Sequence, residues 1–149
     1  MILKMRESFY VNSNGIARGL ALWWMEDVNL SILKFEKYFI DAKISIEGEE
    51  VWFMTFIYGP RYADEKEEFW RSLSSLRNNR VEKWCLIGDS NVVAKPEEKI
   101  GGLTFEASNA KWFYDFMDCS CLIELPIKGR TFTWSNLRSE DEAVLEKLG

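Results

Sequence analysis

Between Ile40 and Glu47 the chain alternates without a fault: Ile40, Ala42, Ile44 and Ile46 are apolar, while Asp41, Lys43, Ser45 and Glu47 are polar. A period of two suits a strand with one buried face, because successive side chains point to opposite sides of a sheet. Gly48 follows, and Val51 to Tyr58 is then almost wholly apolar. The pair reads as an antiparallel hairpin whose second strand is covered on both faces.

Other segments supply the remaining elements. Leu20–Trp24 is a short apolar run after Gly19 and predicts a buried strand. Asp64, with Glu67 three residues on, predicts a capping-box start for a helix whose apolar positions are Phe69, Trp70, Leu73 and Leu76. Trp84–Ile87 predicts a third buried strand, stopped by Gly88. A second helix is expected from a cap near Ser108, with Trp112, Phe113, Phe116 and Met117 as its apolar stripe. Gly129 precedes a last strand, Thr131–Trp134. Strands and helices are mixed and one pair is antiparallel, so the fold class is α+β.

No internal repeat or Pro/Gly/Ser-rich linker divides the 149 residues, which read as a single unit. Seven Trp and ten Phe give that unit ample area for a core. The N-terminal residues carry no signal-peptide pattern and no stretch approaches a membrane span, so an intracellular protein without membrane association is expected. Cys85, Cys119 and Cys121 cannot complete a zinc site without further Cys or His, and are expected as small buried side chains. The sequence has no His, which excludes imidazole-dependent nucleophilic catalysis. A net charge of −5 and the absence of a basic run argue against strong nucleic-acid binding.

Chemistry is expected where apolar strands end. Asp89 and Asn91 follow the Trp84–Ile87 run, and at i and i+2 in extended geometry their side chains point the same way. A carboxylate beside an amide donor suits phosphodiester hydrolysis, the first orienting or deprotonating water and the second holding a phosphate oxygen. The same residues, Gly88-Asp89-Ser90-Asn91, are also good turn chemistry. Tyr58 and Arg61, around Gly59-Pro60, can both donate to phosphate. Trp134 and Asn136 can line a groove floor, although Thr131–Asn136 reads first as a strand with an aromatic anchor.

Taken in order, Gly19-Leu20-Ala21-Leu22-Trp23, Ile57-Tyr58-Gly59-Pro60, Gly88-Asp89-Ser90-Asn91, Lys99-Ile100-Gly101-Gly102 and Phe132-Thr133-Trp134-Ser135-Asn136 resemble the endonuclease/exonuclease/phosphatase family. Within it the chain is most similar to the endonuclease domain of plant LINE-type (non-LTR) retrotransposons. The resemblance implies a deoxyribonuclease-I-like, four-layer α/β/β/α sandwich and a Mg²⁺-dependent phosphodiesterase acting on DNA. It gives Asp89 the role of activating or positioning water, Asn91 and Tyr58 phosphate contacts, and Arg61 a further phosphate contact.

The pattern also has gaps. The family places a metal-binding Glu after an early strand, for which Glu7 is no credible match. Gly149 stands where a late Asp would follow Leu145-Glu146-Lys147-Leu148, and the final Asp-His pair is absent. Ser90 replaces a usual Phe and Arg18 a usual Gly. The chain is therefore expected to be a partial, catalytically inactive domain that holds no metal, or alternatively a non-catalytic interaction module on the same sandwich.

Overall fold

The computed structural model describes residues 7–12, 19–46, 50–80, 83–126, 128, 132–139 and 142–147. Glu47, Gly48, Gly129, Thr131, Leu148 and Gly149, on which some of the expectations above fall, lie outside them. The fold is mixed α+β, and the chain divides into two compact units: Met1–Tyr58 with Asn79–Gly88, and Gly59–Asn78 with Asp89–Gly149.

The first unit is built on strands. β1 (Glu7–Val11) and β2 (Leu20–Trp24) pair antiparallel, in a register that sets Phe9 opposite Leu22. β3 (Val28–Glu36), β4 (Phe39–Ile46), β5 (Trp52–Tyr58) and β6 (Lys83–Asp89) form a second sheet in that order. The predicted hairpin is present: β4 and β5 are antiparallel, with Ile40 opposite Phe56 and Ala42 opposite Met54.

Burial departs from the simple alternation. Asp41 is as buried as Ile40 and Ala42, although the period of two would turn it to solvent. Its carboxylate accepts the Thr55 hydroxyl at 2.7 Å and pairs with the Arg80 guanidinium, while Trp84 donates its indole N–H to Thr55 at 2.8 Å. The Arg80 guanidinium also lies 4.1 Å from the centre of the Phe53 ring. A buried charge is tolerated only when paired and hydrogen-bonded, as this one is. β5 is fully buried on one face only, through Phe53, Thr55 and Ile57, while Trp52 on the other is exposed.

β6 is longer than predicted and less buried. It runs through Gly88 to Asp89, and Ile87 is 51% exposed. The apolar run there records strand propensity rather than depth: among the described residues, β6 ends the strand order and has a neighbour on one side only. Gly88 has φ +136°, and a Cβ on it would stand 2.0 Å from the Ile57 carbonyl oxygen, so both backbone conformation and close approach demand glycine.

The second unit carries α1 (Ala63–Leu76) and α2 (Lys111–Ser120). Phe69, Trp70, Leu73 and Leu76 are buried as the helical spacing requires. The N-cap, however, is Tyr62 without a side-chain cap, and Asp64 lies inside the first turn, where its charge complements the helix dipole. α2 follows a short 3₁₀ turn, Ala107–Ala110, so the helix starts later than Ser108 predicted. Phe113 and Phe116 meet Trp70 at 5.7 and 5.3 Å between ring centres. Trp112 is off that line and exposed.

Cys119 and Cys121 are exposed free thiols rather than buried side chains. Cys121 takes the left-handed cap that ends α2, so both lie beyond the turns that meet Trp70. Cys85 is free and half-buried. The last strand is also shorter than predicted. β7 (Lys99–Ile100), β8 (Trp134–Ser135) and β9 (Leu145–Glu146) form a small antiparallel sheet with β9 in the centre, and Phe132 and Thr133 lie outside it.

Candidate functional site

Within the second unit, three segments converge on the turn that follows β6. The backbone N–H of Gly59 donates to the Asp89 carbonyl at 2.7 Å. The Asn91 side-chain amide donates to the Gly59 carbonyl, also at 2.7 Å. Lys66, in the first turns of α1, donates from its ammonium to the Asn91 carbonyl at 3.0 Å. Gly59 is essential to this seam, since a Cβ there would lie 2.3 Å from the Ser90 carbonyl oxygen.

The turn itself is set by its own side chain. Asp89 accepts the backbone N–H of Asn91 at 2.7 Å, and Asn91 adopts a left-handed φ of 52°. This is the Asx-type turn that Asp and Asn favour, because a short polar side chain can bond to the backbone two residues on and Asn tolerates positive φ. The expected extended geometry, with the two side chains side by side, is therefore replaced by a turn. Asn91 uses an amide hydrogen to bind Gly59, which fixes its orientation.

Burial pushes the Asp89 carboxyl above its ordinary pKa, while the Asn91 N–H and the charge of Arg61 pull it back in part. Burial pulls the Lys66 ammonium below its ordinary value, and the Glu146 carboxylate offsets part of that. Both groups are half-buried charges that their surroundings disfavour, the condition in which titratable side chains at functional sites are often found.

The other candidates are placed differently. Tyr58 is half-buried, the last residue of β5 in the first unit. Trp134 is exposed on β8. Asn136 closes its own loop: its side chain accepts the N–H groups of Val144 and Arg138 at 3.0 and 3.2 Å and donates to the Glu142 carbonyl at 2.8 Å. Among the described residues, no hydrogen bond or ion pair joins Trp134 or Asn136 to Asp89.

No protein-family model matches the chain, and no curated protein is similar to it.

Mg²⁺ takes near-octahedral oxygen coordination, usually with one or two carboxylates. Asp89 brings one carboxylate with a cation beside it, and among the described residues no three Asp, Glu, Cys or His side chains are grouped to hold a metal. What the turn does offer is the Lys66 ammonium, with the Arg61 charge beside Asp89, cations that complement an oxyanion.

Residue patterns gave no sign of Lys66, which is one of several charges on an exposed-looking helix start. They also gave no sign of the nearly buried Glu98. Its carboxylate accepts the N–H groups of Ala94 and Lys95 at 2.8 and 3.1 Å and the Lys147 ammonium at 3.2 Å. Lys147 also bonds Glu124 at 2.6 Å, which raises the pKa of the lysine and lowers that of the glutamate. This is a satisfied network that fastens β9 to the 94–98 loop.

Proposed function

We propose that this chain is a partial endonuclease/exonuclease/phosphatase domain of retroelement origin, in which the Asp89 turn contacts a phosphodiester without cleaving it. The observation that carries the reading is Asp89 itself, a half-buried carboxyl at the end of an apolar strand with Arg61 beside it. The motif order in the sequence supports a deoxyribonuclease-I-like sandwich ancestry and DNA as the ancestral substrate, with Mg²⁺ as the ancestral metal. The proposed inactivity is supported by Asn91, one of the groups that would act as a unit, whose amide donates to the Gly59 carbonyl. Removing one member of such a unit costs nearly as much as removing all.

The test is a plasmid-nicking and labelled-oligonucleotide assay with Mg²⁺ and Mn²⁺, on protein checked for folding by circular dichroism. Wild-type protein should cleave no more than Asp89→Ala. Reproducible nicking that vanishes in Asp89→Ala would overturn the reading. A non-catalytic interaction module is the second reading, favoured by the apolar surface of the first unit, where Tyr10, Trp23, Leu33 and Phe35 are each about half exposed.

A further inference from the structure

Lys66 occupies a place that suits a cation badly. It sits in the first turns of α1, where the helix dipole opposes positive charge, and it is half-buried. Among the described residues its ammonium makes one hydrogen bond, to the Asn91 carbonyl at 3.0 Å, although an ammonium carries three hydrogens. The nearby Glu146 carboxylate is bonded to Lys99 across β7 and β9. If the only task were to hold the Asn91 carbonyl, a neutral donor would serve without the cost of burying a charge.

We propose that Lys66 and the Asp89–Asn91 turn form a metal-independent binding site for a phosphate group, with Lys66 supplying the positive charge. The inference rests on the reading of this turn as phosphate-contacting and deepens it by naming the group that attracts the anion. The Lys66 ammonium lies against the turn through Asn91, so its remaining hydrogens can donate charge-assisted bonds to an oxyanion at the same edge. Arg61 adds positive charge beside Asp89. Lysine acts here as a point charge, so arginine should substitute for it in part.

The experiment is titration calorimetry of the full chain with inorganic phosphate, in EDTA and again with Mg²⁺, alongside phosphate-dependent thermal melting. Wild type should bind phosphate in EDTA, Lys66→Arg should retain most of the affinity, and Lys66→Met should lose about tenfold or more while melting no lower than wild type. Should Lys66→Met fail to fold, Lys66→Gln keeps a donor for the Asn91 carbonyl without the charge, and carries the same expectation. Undiminished binding by the neutral variants, or binding only with Mg²⁺, would overturn the inference and leave the phosphate-contacting reading in place. No binding under either condition would sink both.

Discussion

The Asp89 carboxylate sits in surroundings that penalise its charge. Its folded pKa lies above the ordinary carboxylate value, so the folded chain holds the proton more tightly than the unfolded one. The cost is absent below the ordinary value, grows as pH rises through the window up to the folded value, and is complete above it. Asp89→Asn keeps an oxygen to accept the Asn91 N–H and removes the charge. It should therefore melt above wild type near neutral pH, with the two curves converging in acid. Solvent screening of a half-exposed group holds the gain below about 1 kcal/mol, at most roughly 2–4 °C. Thermal melts at several pH values check this. A variant melting lower throughout would show that the attraction of Arg61 outweighs burial.

Among the elements, the first-unit sheet depends on a charge that no local pattern announces. Asp41 on β4, Thr55 on β5 and Trp84 on β6 are tied in a chain of hydrogen bonds closed by Arg80. Arg80 and Asp41 are almost wholly inaccessible, at 7% and 2% side-chain exposure. Breaking one partner of such a pair leaves the other charge buried and uncompensated, whereas replacing both is far milder. Arg80→Met should cost about 3 kcal/mol or more in urea unfolding, and adding Asp41→Asn, which still accepts from Thr55, should recover part of it. A loss below about 1 kcal/mol for Arg80→Met would mean that water reaches the pair. The same contrast explains α1. Its buried stripe followed from spacing within one helix, but its N-cap is Tyr62 in place of Asp64.

For the whole molecule, the net charge of −5 limits any contact with nucleic acid. DNA affinity depends on counterions released by lysines and arginines at the phosphates, and the proposed site engages one or two of them. Binding to a short duplex should therefore be weak and shallow in salt, with a slope of log affinity against log salt between about −1 and −2. Fluorescence anisotropy across a salt series measures it. A slope of about −5 or steeper would reveal a basic face elsewhere and remove the Asp89 turn from the centre of the account.

Local periodicity was enough to specify the β4–β5 hairpin and the buried face of α1, because each rests on residues a few positions apart. The Gly88-Asp89-Ser90-Asn91 segment was legible as turn chemistry, and its backbone makes the turn. Spacing could not show that Asp41 is buried, since the arginine that permits it lies 39 residues away. Nor could it show that the Asn91 amide binds a carbonyl 32 residues back, or that Lys66 is drawn 25 residues along the chain to the same turn. The exposure of Cys119, Cys121 and Trp112 was hidden for a related reason. Residue type and period determine which face of an element is apolar, but burial and charge pairing depend on which distant segment arrives to cover it, and that is decided only when the chain folds.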